Sequence, residues 1–295
     1  TFAAVWLAAG SSTPPSLRAR PEDDRPTDEG PASAEGFNPP SLNLSPGSPS
    51  TSFRNNRDWI AAWRNAIKQD LPALPPRAAG DQRLRELIAV HLHSARGIDC
   101  SAENIIVTAG TSDGLALTLQ SQTGGASGLR IATENPGYPT ARRVIRALGA
   151  SPIPIPVRDG GIDVDALKRA PGQIAGALVT ASHQYPPGGR LPVSARLDLL
   201  AWSQETGARI FEDDYDSEFR HGAPPLPAIA SLDRDGRVVL IGSYSKTLTP
   251  WLRCGYLVIA DSELRQRVIQ TREALGPPVS GVVQSALAQF PERGG

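Results

Sequence analysis

A chain of 295 residues with 40% apolar content can bury a full core, enough for one large α/β domain or two smaller ones. Its 30 basic and 30 acidic side chains balance, which leaves no electrostatic footprint for nucleic acid or a membrane surface, so any DNA contact has to come from elsewhere. Two distant cysteines, Cys100 and Cys254, argue against a disulfide scaffold and suit a reducing cytoplasm, and the absence of methionine even at position 1 suggests a fragment or a processed product.

Residues 1–10 (TFAAVWLAAG) are too short to span a membrane and lack the basic start of a signal peptide. Residues 11–40 hold seven prolines, several serines and almost no large apolar side chains. Such a stretch cannot bury enough surface to offset its ordering entropy, and it reads as a flexible linker. Globular sequence starts near Phe37. Over 57–70, Trp59, Ile60, Trp63 and Ile67 recur at helical spacing and are expected to face a core; over 81–95, Leu84, Leu87, Ile88 and Leu92 do the same. His91 and His93 fall two apart on that second helix and point different ways, which argues against a shared metal.

Residues 105–108 are a strand-like run, followed by AGTSDG and an apolar helical stretch over 115–119. Gly110, Thr111 and Ser112 would then sit at a helix N-terminus, whose free N–H groups and dipole attract anions; helix capping explains Thr111 and Ser112 equally well. Residues 129–133 read as the next strand, and ENPGYP after it presents Tyr138 in what would otherwise pass for a turn. A helix over 140–148 stops at Gly149, and 153–157 is a proline-interrupted strand suited to a sheet edge. The apolar run 174–180 fits a central parallel strand and leads into SHQYPPGGRLP, which carries His183 and Tyr185. An amphipathic helix over 194–206 ends at Gly207.

Two stretches then concentrate chemistry. In ARIFEDDYDSEFR (208–220), Ile210 and Phe211 look like the end of a strand, with Glu212, Asp213, Asp214 and Asp216 at its C-terminal edge. Such a run is usually a solvated acidic turn or a divalent-metal site, but without a His or Cys cluster it does not suit a transition metal. RVVLI (237–241) is a short buried strand, and residues 242–246 lie at its carboxyl end, where open α/β sheets bind ligands. Lys246 stands there among Ser243, Ser245 and Thr247, with Arg253 seven residues on. It is either an ordinary loop lysine or an amine that forms a Schiff base with a carbonyl cofactor whose phosphate the hydroxyls and the guanidinium hold. A strand-end Asp would complete the second arrangement by keeping a pyridine nitrogen protonated. Ser243 to Lys246 also spells S-x-x-K, but no S-D-N or K-T-G accompanies it, which disfavours a serine acyl-enzyme. Cys254 adjoins Arg253 and is expected to be a packed thiol.

Alternation of strands and helices over 105–260 indicates an α/β fold, a doubly wound and mostly parallel sheet with helices on both faces. Thr111, Tyr138, Tyr185, Asp213, Ser243 and Lys246 all follow strand ends, which would collect them on one edge.

SYSKTLTPWLRCGY together with IFEDDYDSEFRHG resembles the pyridoxal-phosphate domain of the MocR/GabR regulators. These are a branch of the fold type I aminotransferases, normally fused to a winged-helix DNA-binding domain of the GntR type. The resemblance runs from about Phe37 to the end. It implies pyridoxal 5'-phosphate (PLP) as cofactor, Lys246 as the Schiff-base lysine, and Asp213, set two strands away, as the partner of the pyridine nitrogen. It further implies Tyr215 on the phenolic oxygen, Tyr138 stacked on the ring, Tyr185 near the phenolic oxygen, and Thr111, Ser112, Ser243, Ser245 and Arg253 on the phosphate. Residues 1–10 would be a remnant of the winged helix, 11–40 the tether, and 41–295 a cofactor domain without the small C-terminal domain that carries a substrate-binding arginine. Where the family places a Gly-Tyr pair that reaches the neighbouring subunit, residues 74–77 read LPPR. The implied whole is a cytoplasmic homodimer that senses a small amino compound and binds DNA only through an N-terminal domain absent here; the other reading is a working aminotransferase acting on an amino acid and a 2-oxo acid.

Overall fold

The computed structural model describes residue 49 and residues 55–70, 72–219 and 226–292, all within a unit spanning 45–295. The expected winged-helix remnant and linker lie outside the described residues. In chain order the elements are α1 (Arg57–Lys68), α2 (Gln82–Arg96), β1 (Ile105–Thr108), α3 (Thr111–Gln120), β2 (Arg130–Asn135), α4 (Pro139–Ala147), β3 (Ser151–Arg158), β4 (Gly161–Ile162) and α5 (Val164–Lys168). There follow β5 (Gly176–Val179), α6 (Val193–Thr206), β6 (Arg209–Asp214), α7 (Ile229–Leu232), β7 (Val238–Ser243), β8 (Gly255–Ile259), α8 (Ser262–Leu275) and α9 (Gly281–Glu292).

The strands form one eight-stranded sheet in the order β1-β8-β7-β6-β5-β2-β3-β4. Strands β3, β2, β5, β6 and β7 run parallel, while β8 lies antiparallel to both β7 and β1. The carboxyl ends of β1, β2, β5, β6 and β7 and the amino end of β8 therefore share one edge. Every residue of β1, β5, β7 and β8 is buried, as strands covered on both faces require.

Alternate residues feed two layers of helices. Ile106, Phe211, Val239, Ile241 and Leu257 pack with Leu115, Leu117 and Leu119 of α3, Ile145 of α4, and Leu264 and Val268 of α8. On the other face Ile210, Ala177 and Val179 meet Leu199 and Trp202 of α6, while Ile105, Val107 and Leu240 meet Leu84, Ile88 and Leu92 of α2. Asp81 caps α2 through Leu84 N–H at 2.9 Å, and Gly97 ends it in the left-handed conformation.

Three expectations need correcting. Helix α1 turns Trp59, Ala62 and Ala66 inward against α9, leaving Ile60 and Ile67 at 39% and 66% exposure, because small side chains allow close helix approach. Helix α6 is amphipathic in an unexpected sense: its inward face holds Arg196 and Ser203 beside Leu199 and Trp202, while Leu197 is exposed. Arg196 is tolerated there because it donates to the carbonyls of Leu191, Pro227 and Ala181. The strand expected to end near Phe211 continues as β6 through Asp214, with every residue from Ile210 onward buried, so the solvated-turn alternative falls.

Proline-interrupted β3 does lie toward the sheet edge, with only Val157 and Arg158 covered by β4. Ser151 N–H donates to Leu129 O of the β2 side, so by the period of two the nitrogens of Pro152, Pro154 and Pro156 face the open side, where no ladder bond is lost.

Candidate functional site

A cavity of about 490 Å³ opens at the shared strand edge, and all ten residues singled out from the sequence line it. They arrive from several connections: Thr111 and Ser112 after β1, Tyr138 after β2, Tyr185 after β5, Asp213 and Tyr215 at the end of β6, and Ser243, Ser245 and Lys246 at the end of β7. Arg253 joins them because β8 is antiparallel and starts at this edge. Asp213 is nearer to Lys246 in the sheet than expected: β6 and β7 pair directly, with Asp213 opposite Ile241, so one strand step separates the acid from the lysine turn.

One wall is built for an anion. Gly110, with φ 87° and ψ −177°, occupies backbone space that is essentially glycine-only and turns the chain from β1 into α3. The N–H groups of Thr111 and Ser112 belong to the first turn, which has no intrahelical acceptors, and among the described residues no side chain caps them. Gly255 lets this loop approach, since a Cβ there would stand 2.5 Å from Gly242 O and 3.0 Å from Gly110 Cα. Opposite, Ser243 Oγ lies 2.9 Å from Ser245 Oγ and accepts Ser245 N–H at 3.1 Å. Leu248 N–H closes the turn onto Tyr244 O at 2.9 Å, holding Lys246 half-buried at the cavity wall. Arg253 sits at φ 46°, ψ 48°, a left-handed conformation that costs a non-glycine residue and is typical of ligand clamps.

The floor is Asp213, 4% exposed. Among the described residues its hydrogen-bond partner is Thr111 Oγ1 at 3.4 Å, and it forms no ion pair. Burial pushes its carboxyl up to about 7, helped by the charge of Asp214, while the Thr111 hydroxyl opposes the shift. An acid so short of donors suits a cationic partner. Tyr138, Tyr185 and Tyr215 form a row of edge-to-face rings, with centroids 6.1 and 6.4 Å apart. Tyr215 donates to His183 O at 3.1 Å, and burial raises its phenol.

His183, carried by the SHQYP loop, reaches the neighbouring turn. Its Nδ1 meets Asp216 Oδ1 at 2.8 Å, clasping the loop after β5 to the turn after β6. The sequence reading missed Thr180 and Gln184 as lining residues. Both bond Glu134, a buried acid at the end of β2 whose pKa burial raises. Thr180 ends the apolar run 174–180, and that strand-end position was the available signal. Cys254 is a buried thiol with its pKa raised to about 12 by burial, so Arg253 does not activate it. Among the described residues no group of His, Cys, Asp and Glu is arranged to hold a metal, and no helix is long and apolar enough to cross a membrane.

The family model for aminotransferase class I and II matches residues 40–291. The chain belongs to that family. PLP is the family's cofactor, and the described residues fit it, since unpaired N–H groups, hydroxyls and a guanidinium line the same cavity as a donor-poor carboxylate. This aminotransferase-like chain is 43% identical over 256 residues to the pyridoxine biosynthesis transcriptional regulator PdxR of Corynebacterium glutamicum, covering 85% of this chain and 53% of PdxR. It is 37% identical over 216 residues to the probable rhizopine catabolism regulatory protein MocR of Rhizobium meliloti, covering 73% of this chain and 43% of MocR. It thus spans about half the length of these relatives. The structure of LysN, the α-aminoadipate aminotransferase of Thermus thermophilus complexed with N-(5'-phosphopyridoxyl)-L-leucine, superposes with a TM-score of 0.73 at 25% identity, over 84% of this chain and 63% of LysN.

Proposed function

We propose that this chain is the effector-sensing domain of a MocR-type transcriptional regulator, in which a small amino compound reacts at Lys246. The observation that carries the reading is that the donor-poor Asp213 at the end of β6 and Lys246 in the turn after β7 line one cavity together with an anion cradle. When bound, PLP supplies a carbonyl for amines and a ring that withdraws electrons from the α-carbon. Lys246 would hold it covalently through Nζ and, once displaced by an incoming amine, stand ready to move the α-proton. Asp213 would keep the ring nitrogen protonated. Tyr215 and Tyr185 would flank the phenolic oxygen, Tyr138 would lie against the ring, and the N–H groups of Thr111 and Ser112 with Ser243, Ser245 and Arg253 would hold the phosphate.

The regulator half of the proposal is supported by the names of PdxR and MocR and by their greater length. DNA contact would come through an N-terminal winged helix tethered by residues 11–40, and the working unit would be a cytoplasmic homodimer. Reconstitution with PLP, borohydride reduction and peptide mapping test the site: the label is expected on Lys246, and label on any other residue would refute the assignment. A second reading, a working aminotransferase, is favoured by the superposition on LysN. Turnover of an amino acid with a 2-oxo acid at about 1 per second or faster would establish it and end the sensor-only reading.

A further inference from the structure

The first turn of α3 carries a charge that a phosphate site should not tolerate. Asp113 stands one residue beyond Ser112, and its Oδ2 accepts Ala109 N–H at 2.9 Å, beside the cavity-lining Gly110. A partly buried carboxylate in this position opposes a phosphate held by the same turn. It is met by Arg272 of α8, whose Nη2 donates to the same Oδ2 at 2.6 Å from a side chain only 3% exposed. Docking of α8 on α3 does not depend on the pair. At the far end of α3, Ser121 Oγ and Thr271 Oγ1 are 3.0 Å apart, and Arg267 Nε donates to Ser121 O at 3.0 Å. Burying Arg272 with its Nε unpartnered is costly, so a role in packing alone accounts for it poorly.

We propose that Arg272 is a positioning residue for phosphate recognition: it pins Asp113 as the strap of the 109–112 turn and cancels its charge, so the turn presents its N–H groups without a competing anion. The inference rests on the PLP reading above and extends it to a residue outside the cavity.

The test titrates the full chain with PLP and, separately, with pyridoxal, because the ratio of the two dissociation constants isolates the phosphate. Arg272→Met is expected to cut the wild-type preference for PLP about tenfold while pyridoxal binding changes less than about twofold. The double variant Arg272→Met/Asp113→Asn should restore the preference. Should Arg272→Met prove too unstable to titrate, Asp113→Asn alone is read, and its preference must equal or exceed that of wild type. An unchanged preference in Arg272→Met, equal losses for both ligands, or a lowered preference in either Asp113→Asn variant overturns the proposal. Wild-type protein that binds neither ligand would instead overturn the PLP reading, and this inference with it.

Discussion

The two faces of strand β6 carry carboxylates to opposite ends. Toward the α2 and α7 side, Glu212 is fully buried and accepts Ile229 N–H and Ala230 N–H, each at 2.9 Å, while Asp214 pairs with Arg96 at 3.1 Å and accepts from Ser217 at 2.7 Å. On the other face Asp213 has the Thr111 hydroxyl at 3.4 Å and opens onto the cavity. Burial raises all three acids, Glu212 and Asp213 to about 7. What separates them is donor supply. Where main-chain groups and an arginine provide for a carboxylate it fastens elements together, and where donors are short it is left to answer to a ligand.

That contrast fails if chemistry persists on the cavity face without its amine. Lys246→Ala should abolish the borohydride-trapped adduct while the circular dichroism and Tm stay those of wild type; a trapped adduct on another residue would break the comparison outright. Next in size is the opposite face. Glu212→Ala strands two buried N–H donors at the start of α7 and should cost about 3 kcal/mol, or roughly 8 °C in Tm, with the adduct still formed. Normal Tm in that variant would mean that the donor-rich face is not structural.

Much of this was legible because the central strands declare themselves: a strand covered on both faces is one apolar run, as at 105–108, 174–180 and 237–241. The site was legible for a related reason, since its residues follow such runs directly. Periodicity misled at α1, where the interface with α9 uses Ala62 and Ala66 and the larger Ile60 and Ile67 face outward. It misled again at β6, where the apolar signal stops at Phe211 but pairing with β7 carries the strand on to Asp214. The donors that make Glu212 and Asp214 structural come from α7 and α2, and Arg272 reaches Asp113 across 159 positions. No local pattern encodes partners at that separation.

Asp213→Asn sharpens the comparison through pH. Asp213 has an ordinary value of 3.8 and a folded value near 7, so between about 4 and 7 the folded apo chain keeps a proton that the unfolded chain has lost. Its stability therefore falls as pH rises across that window and levels off above it, and Glu212 adds a parallel slope. The Asn variant loses the Asp213 share. At about pH 8 its apo form should melt several degrees higher than wild type, at about pH 4 the two should agree, and PLP retention should fall. A variant that melts lower than wild type at about pH 8 would place Asp213 with the structural acids.

The smallest effect tests the one hydrogen bond that Asp213 has among the described residues. Thr111→Val removes a long contact that favours the ionised acid, so PLP should be held about two- to threefold more weakly. Because the route runs through Asp213 and the ring, pyridoxal should weaken by the same factor. If PLP alone weakened, the Thr111 hydroxyl would be serving the phosphate beside the Thr111 N–H, and Asp213 would stand on the cavity face with no donor that matters to it.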